Sequence, residues 1–429
     1  MFVLAALALV VGLAAADLLD LVVVTGTGPV PYVGRDLRMD YSLAVLWAAV
    51  LGMGILAWPV PSQRKPTLVL IWLGKTTVTL GLMMAYEYVY GVDPDGYYTN
   101  AVVNPFSWGG FELGAGTTNI QHLVWLQNLI IPDSYHAAKV TFSYIGLVGI
   151  YLFYRAAVLF SGKENRVLFL VFGFYPSILI WSSILGKEPI VFLGIAMYSY
   201  AVVGWYRTRW LPYLAVSALG VLVTLLVRSW LGVILIGPAF LIFLQQSAKS
   251  RRRLAPALIC ILVAVPLVMS LTLVRNAYSL DSLDDFIPTI NTISQSMETG
   301  GSSLVAVQFG GFGDLLTFLP LGVFTVLFRP FPGEIPNVFG IAAGLENMVL
   351  LFLLIRAVVR VSRRDLSEPL VMWAMSLTLI WSSLYSVALY QNLGTMARHR
   401  LEILPILIGL LLYLGRRRFK VPVNRNSKP

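Results

Sequence analysis

The chain has 429 residues, of which 58% are hydrophobic, and its mean hydropathy is +0.78. Soluble globular proteins are far less apolar, so the composition excludes that class and indicates a polytopic membrane protein. The formal net charge is +10, but most basic residues lie in short clusters between apolar runs, which is typical of cytoplasmic loops rather than of nucleic-acid binding. Cys260 is the single cysteine, which excludes an intrachain disulfide and a cysteine-based metal cluster.

Apolar runs of about 20 residues recur along the chain, each long enough to cross a hydrocarbon core of about 30 Å as a helix. The ten-residue alternating segments of a porin-like barrel are not seen. We therefore predict an all-α polytopic membrane protein, a single integral membrane domain over residues 1–429 with about 12 transmembrane helices. The predicted spans are 1–24, 41–60, 67–90, 139–160, 167–184, 189–206, 210–227, 230–246, 254–274, 338–358, 369–390 and 401–415.

The first run is predicted to remain as an uncleaved helix. Ala14-Ala-Ala16 before Asp17 resembles a signal-peptidase site, so cleavage remains open as the alternative. With this set of spans, 21 of the 31 Lys and Arg residues face one side, nine face the other and Lys75 lies within the membrane. The richer side is cytoplasmic by the positive-inside tendency. We predict a bacterial inner-membrane protein with both termini in the cytoplasm and a basic cytoplasmic tail over residues 416–429.

Two long polar segments, 91–138 and 275–337, are predicted to be loops on the outer face. The first contains a semi-apolar stretch, Ile120 to Ile131, which is too short and polar to span and is predicted to be an amphipathic helix in the interface. The second contains an apolar piece, 315–328, which is interrupted by a proline. A full crossing there would place the next basic cluster on the wrong side, so a re-entrant hairpin is predicted.

The sequence from Asp93 to Tyr98, Asp-Pro-Asp-Gly-Tyr-Tyr, is the leading candidate for a site. A carboxylate of Asp93 or Asp95 is suited to act as a general base that activates an acceptor hydroxyl, with Tyr97 and Tyr98 contacting the acceptor or its sugar. The alternative is an Asp-Pro turn followed by a belt of interfacial tyrosines. Asp-x-Asp supplies only two carboxylates to a metal, which is a weak ligand set. We therefore expect neither a metal nor another cofactor.

Basic residues on the predicted outer face are few and lie mostly beside the ends of spans. Long cationic side chains at such positions often just extend to the lipid headgroups. Guanidinium groups that lie together at the outer ends of the spans would instead suit a phosphate or diphosphate ligand, such as a lipid-linked pyrophosphate. The candidates for phosphate binding are Lys187, Arg228, Arg275, Arg329, Arg398 and Arg400.

Three further positions have two interpretations each. Lys187-Glu188 is either a mutually neutralised pair or a phosphate ligand beside a carboxylate that binds a sugar hydroxyl. His399 either moves protons near neutral pH or contacts headgroups. Glu346 and Lys75 lie inside predicted spans, where charges are costly and indicate function; we expect Glu346 to pair with an outer arginine or to contact the sugar, whereas Lys75 has no identifiable partner.

Some sequence motifs are absent. The chain has no Walker A sequence, no His-Glu-x-x-His and no Rossmann glycine fingerprint. These absences argue against ATP-driven transport by this chain alone and against zinc proteolysis.

Several short sequences lie within or between the predicted spans: Asp93-Pro-Asp95-Gly-Tyr97-Tyr98, Pro176-Ser177 with Trp181-Ser-Ser, Lys187-Glu188, Arg228, Leu327-Phe-Arg329-Pro-Phe-Pro332 before Glu346-Asn347, and Ala397-Arg-His-Arg400 with Pro405. In layout and in these sequences the chain resembles bacterial GT-C-type membrane glycosyltransferases and the related exopolysaccharide or O-antigen polymerases. The resemblance implies a polyprenyl-linked sugar donor, an outer-loop acidic base and arginines that hold the donor phosphates; polymerases often use arginine and histidine instead of an aspartate base. The acidic motif follows the third span here, whereas the GT-C pattern usually has it after the first, so both families remain open.

From the resemblance we expect Asp93 or Asp95 to be the base and Arg228, Arg329, Arg398 and Arg400 to be phosphate ligands. The expected function is transfer of a sugar or oligosaccharide from a polyprenyl phosphate or diphosphate carrier to a glycan acceptor. The partners are then the lipid-linked donor, the acceptor glycan and membrane lipid, with no nucleic acid. The alternative is a transporter or flippase of lipid-linked glycans, and an accessory subunit without chemistry is a third interpretation. A flippase needs access from both faces, whereas the polar residues here concentrate on one.

Overall fold

The computed structural model describes residues 37–90, 93–104, 109–132, 134–247, 284–298, 302–305, 307–335 and 337–416, with short pieces between 267 and 282. In this part of the chain every regular element is a helix, apart from one isolated bridge between Ser303 and Asn392. The predicted all-α fold is confirmed for these residues. The predicted span 1–24, most of the span 254–274 and the tail after Arg416 lie outside the described residues.

The helices of the first half lie close together in the sequence, with short turns between most of them. They are α1 (Leu37–Ala57), α2 (Lys65–Thr77), α3 (Met83–Tyr90), α4 (Asp93–Val103), α5 (Gly116–Asn128), α6 (Tyr135–Ser161), α7 (Arg166–Phe174), α8 (Pro176–Trp181), α9 (Lys187–Thr208), α10 (Pro212–Val227) and α11 (Trp230–Ser247).

The second half continues the same architecture. Its helices are α12 (Phe286–Ser296), α13 (Phe312–Phe328), α14 (Val338–Arg360), α15 (Arg363–Leu366), α16 (Pro369–Leu389), α17 (Leu393–His399) and α18 (Leu404–Leu414). A 3₁₀ turn, Arg400–Glu402, joins α17 to α18.

Among the described residues five helices, α1, α6, α9, α14 and α16, are long and apolar enough to cross a membrane. Several shorter apolar helices, including α10, α13 and α18, accompany them. The chain is therefore a helical protein with the character of a membrane protein. The total of about 12 crossings and the orientation of the termini stay predictions.

Two predicted spans are interrupted. The span 167–184 divides into α7 and α8 because Pro176, the first residue of α8, lacks an N–H donor and forces Tyr175 into an extended conformation. The span 67–90 contains a π-helical turn, Val78–Leu82, between α2 and α3. Such turns insert one extra residue into a helix and change the direction in which the following side chains point.

The segments predicted to be long loops contain helices. Residues 91–138 include α4 and α5, and α5 begins at Gly116 rather than at Ile120. This helix buries polar side chains such as Asn119 and His122 as well as Ile120, so it packs into the protein. The predicted re-entrant piece 315–328 corresponds to one continuous helix, α13, which contains Pro320.

Helix α9 lies at the centre of the packing. It contacts both α6 and α10 along much of its length, and large side chains such as Phe192 and Trp205 are buried on it. Where α9 crosses α10, a Cβ on Gly194 would lie 2.8 Å from the Gly220 carbonyl oxygen, and a Cβ on Gly220 would lie 2.6 Å from that of Gly194. Small residues at this crossing let the two backbones touch, as is common between helices in membranes.

The same packing brings several helix ends together. The start of α9, the end of α10, the start of α4 and the end of α17 meet, because side chains from each of them are in contact. The turn that leads into α9, from Ser182 to Gly186, is buried. The polar side chains that the sequence supplies at these ends are therefore held by buried backbone.

Candidate functional site

A group of ionisable side chains meets at these helix ends, and we refer to it as the charged cluster. They come from α4, from the first turn of α9, from the residue that follows α10, and from α17 with the turn after it. Its members are Asp93, Lys187, Glu188, Arg228, Arg398, His399 and Glu402.

Glu188 is the centre of the cluster. Its side chain is 2% exposed, and it accepts hydrogen bonds from Arg228 Nη2 at 3.0 Å, Arg398 Nε at 2.8 Å and Arg398 Nη2 at 3.0 Å. Two guanidinium groups on one carboxylate offset the cost of taking that carboxylate out of water. The Lys187–Glu188 pair considered from the sequence does not form, and both Glu188 oxygens are occupied by arginines.

Glu402 is the residue that the sequence analysis missed. Its carboxylate pairs with Arg228 and accepts hydrogen bonds from Trp381 Nε1 at 2.8 Å and from the Tyr385 hydroxyl at 2.8 Å. Arg228 therefore bridges Glu188 and Glu402, and it is buried rather than extended toward headgroups. A carboxylate inside the predicted span 401–415 was the available signal, because charges in spans are costly.

Arg398 and Asp93 form the accessible part of the cluster. Arg398 Nη1 donates to Asp93 Oδ2 at 3.2 Å, and the two side chains are 26% and 58% exposed. A guanidinium has five N–H donors, and Arg398 uses three of them on Glu188 and Asp93. The remaining N–H groups can bind an anion beside the Asp93 carboxylate.

Lys187 and Tyr97 add two further donors. Lys187 is half-buried and has no hydrogen bond or ion pair with any residue that the structure describes. It packs beside Gly116, where a Cβ would lie 3.4 Å from Lys187 Cε and 2.4 Å from the Val227 carbonyl oxygen, so glycine is required for this approach. Burial, with the charges of Asp93 and Glu188, raises the pKa of Tyr97 to about 12. Its phenol therefore stays protonated and can donate.

His399 is the member of the cluster that contacts Glu402 and Tyr385. Its Nδ1 lies 3.3 Å from Glu402 Oε1, its ring lies 5.3 Å from that of Tyr385, and its side chain is 15% exposed. Burial lowers the pKa of His399 and the Arg228 guanidinium lowers it further, against an opposing effect of Glu402. His399 is therefore neutral near pH 7.

This lowered pKa predicts a pH dependence of stability. The unfolded chain binds a proton at His399 near the ordinary pKa of about 6.5, whereas the folded chain binds it only at lower pH. Stability is thus full above about pH 6.5 and falls as the pH drops through that value. The thermal midpoint in detergent should fall more between about pH 7.5 and about pH 5.5 for the wild type than for His399→Gln. An equal fall in the two proteins would contradict the prediction.

Lys75, which had no identifiable partner in the sequence, holds the turn that leads into α9. Its Nζ donates to the Ser182 carbonyl at 2.8 Å, to Ser182 Oγ at 2.6 Å and to Ser183 Oγ at 2.9 Å. Thr79 adds a bond to the Ser183 carbonyl at 2.9 Å. Because Lys187 follows this turn closely, α2 and the π-helical turn position the start of α9.

Replacing Lys75 by methionine should lower the free energy of unfolding by about 1–3 kcal/mol, since buried acceptors in the Ser182–Ser183 turn lose their donor. The matched control is Thr77→Val, because Thr77 is exposed and its hydroxyl donates within its own helix, to the Leu73 carbonyl. Titration with sodium dodecyl sulfate in mixed micelles measures both. Equal losses in the two variants would show that Lys75 does not anchor the turn.

Two of the predicted phosphate ligands, Arg400 and Arg329, bind groups outside the charged cluster. Arg400 is buried and donates to the carbonyl oxygens of Val326 and Arg329 and to the Asn347 side chain. Arg329 pairs with Glu334, with Nε and Nη2 at 2.9 and 2.6 Å from Oε1. Both therefore hold the junction between α13 and α14, and neither joins the charged cluster.

Glu346, Tyr98 and Asp95 make contacts with residues outside the cluster. Glu346 accepts from the Ser177 backbone at 2.9 Å and from its hydroxyl at 2.8 Å, and it forms no ion pair with an arginine of the described chain. Tyr98 is buried against Tyr135, with ring centroids 5.4 Å apart. Asp95 accepts from the Thr99 hydroxyl at 3.4 Å, and Arg275 is exposed.

Within the described chain no group of three or more His, Cys, Asp or Glu side chains is arranged to hold a metal ion. The carboxylates of the charged cluster are bound to arginines instead, as for Glu188. What the cluster can do is bind an anion through Lys187 and Arg398 and accept a proton at Asp93.

Fold and site together define a helical protein of membrane character with a charged cluster at one end of its helices. No family model, curated protein or solved structure matches the chain.

Proposed function

We propose that this protein is a membrane glycosyltransferase or polysaccharide polymerase. In this proposal it transfers a sugar or oligosaccharide from a polyprenyl phosphate or diphosphate carrier to a hydroxyl of a glycan acceptor, on the outer face of a bacterial inner membrane. The observation that supports it best is the contact between Arg398 and Asp93: a cation with unused donors lies beside an exposed carboxylate.

The two sides of this contact suit the two halves of the reaction. Lys187 and the unused N–H groups of Arg398 bind the carrier phosphate, to which negative charge moves as the bond breaks. Asp93 takes the proton of the acceptor hydroxyl. The acceptor oxygen attacks the anomeric carbon, the bond between that carbon and the phosphate oxygen breaks, and the electron pair leaves with the phosphate. The carrier supplies the leaving group, so no nucleotide is needed.

The buried members of the cluster have a different role in this proposal. Glu188 holds two of the Arg398 donors, and Arg228 connects Glu188 to Glu402. A guanidinium fixed in this way loses little conformational freedom when it binds phosphate. His399 is kept neutral and is available to exchange protons with the leaving phosphate.

The test is an assay of the purified protein in nanodiscs with a mixed pool of polyprenyl-linked glycans. Mass spectrometry follows release of the carrier, with and without EDTA. We expect release that survives EDTA and that requires a glycan acceptor. Binding of the pool without release would overturn the proposal in favour of a transporter or flippase.

A substitution at the unpaired lysine tests phosphate binding in the same assay. Lys187→Gln should raise KM for the carrier-linked donor about 10- to 150-fold, because a charge-assisted bond to phosphate contributes about 1.5–3 kcal/mol. The matched control is Arg363→Gln, an exposed cation in α15. An unchanged KM in Lys187→Gln would remove this residue from the phosphate site.

A further inference from the structure

A cavity of about 540 Å³ lies between helices α6, α7, α9, α16 and α18. On α9 it is lined by Ser199 and Val203, which are about 17 and 22 Å from Glu188 of the charged cluster at a rise of 1.5 Å per residue. On α18 the lining begins at Pro405, three residues after Glu402, so the cavity starts near the charged cluster and extends away from it toward Lys163 and Arg416.

The walls suit a hydrocarbon chain. They are formed mostly by apolar side chains such as Phe153, Phe172 and Leu410, and the polar side chains among them include Ser161, Asn165 and Ser199. Along α18 the lining extends from Pro405 to Tyr413, which is about 12 Å of helix rise. The volume lies within the range of about 300–1,000 Å³ that is usual for binding pockets.

The mouth of the cavity is cationic. Lys163 lines it, and the Lys163 ammonium has no hydrogen bond or ion pair within the described part of the chain. Arg416 also lines it and is bound to Asp365 at 2.8 Å and to the Tyr413 carbonyl at 2.6 Å. The nearest acid in sequence, Glu164, already pairs with two arginines. An exposed ammonium that pairs with no acidic side chain of the described chain thus lies at the edge of an apolar cavity.

We propose that this cavity binds an anionic phospholipid, with one acyl chain between α6 and α18 and the phosphate at Lys163. Charge complementarity selects the headgroup and the apolar walls select the chain. The wall on the α18 side is partly exposed at Gly409 and Leu412, so a chain enters sideways from the bilayer. The site binds this lipid independently of the glycosyl donor.

The test compares thermal midpoints of the full chain in detergent after addition of phosphatidylglycerol, phosphatidylethanolamine with the same chains, a polyprenyl phosphate, or inorganic phosphate. Phosphatidylglycerol should raise the midpoint more than phosphatidylethanolamine does, and inorganic phosphate should leave it unchanged. Equal effects of the two phospholipids would overturn the proposal. An effect of the polyprenyl phosphate without one of phosphatidylglycerol would assign the cavity to the carrier instead.

Two variants test separately the binding of the acyl chain and the binding of the lipid headgroup. Gly409→Leu fills the cavity, since a Cβ at Gly409 meets no atom within 4 Å, and it should abolish the rise caused by phosphatidylglycerol. Lys163→Gln should remove the preference for phosphatidylglycerol over phosphatidylethanolamine. The control is Gly237→Leu, which has equal space in α11, away from the cavity, and should keep the full rise. A full rise in Gly409→Leu, or an unchanged preference in Lys163→Gln, would contradict the proposal.

Discussion

Replacing Asp93 by asparagine is expected to reduce glycosyl transfer about 100-fold or more, because the amide cannot accept the proton of the acceptor hydroxyl. Asparagine has nearly the same shape, and its side-chain oxygen can still accept the bond from Arg398 Nη1. We therefore expect kcat to fall while binding of the carrier-linked donor is kept. Single-turnover measurement of carrier release separates these two effects.

Asp95→Asn is the matched control for that experiment. Asp95 is only two positions from Asp93 but has a different partner. It accepts a hydrogen bond from the Thr99 hydroxyl within α4 rather than from Arg398. Its variant should keep transfer close to the wild-type rate. Equal losses in the two variants would remove Asp93 as the specific base. Transfer that survives in Asp93→Asn but is lost in His399→Gln would favour the polymerase chemistry of arginine and histidine.

Replacing Arg228 by methionine is expected to lower the free energy of unfolding by about 3–5 kcal/mol. Arg228 is buried and is the side chain that bridges Glu188 and Glu402. Methionine fills similar space but leaves Glu402 ionised and buried with only neutral donors and His399 beside it. Titration with sodium dodecyl sulfate in mixed micelles measures the loss.

Two comparisons test the reason for this loss. Arg155→Met removes a pair with Glu164 whose side chains are 29% and 35% exposed, and such pairs contribute at most about 1 kcal/mol. Adding Glu402→Gln to Arg228→Met removes the uncompensated charge, so the double variant should lose less stability than the sum of the single variants. Additive losses would show that the two side chains are not coupled.

The sequence predicted several members of the charged cluster but not how they pair. Lys187, Glu188, Arg228, Arg398 and Asp93 were all candidates because each is a charge at the end of an apolar run. A spacing in sequence cannot show that Glu188 binds two distant arginines and leaves its neighbour Lys187 without a partner. That choice depends on how α9, α10 and α17 pack.

Sequence spacing also failed to show which candidate residues lie outside the charged cluster. Arg400 is two residues from Arg398, yet the turn after α17 directs it to the backbone oxygens of Val326 and Arg329. The expected partner of Glu346 was an arginine, whereas the break before α8 offers it the free N–H and hydroxyl of Ser177. A sequence does not show which backbone groups are free to act as partners, although most side-chain hydrogen bonds are made to backbone or water.

The sequence by itself determined the class of protein and the approximate position of its apolar helices, because burying about 20 consecutive apolar residues in lipid requires no partner from elsewhere in the chain. Tertiary structure alone decided which charges share a site. A buried charge is tolerated only where opposite charges and hydrogen-bond donors converge on it. For Glu188 and Glu402 those groups come from helices that are far apart in the sequence.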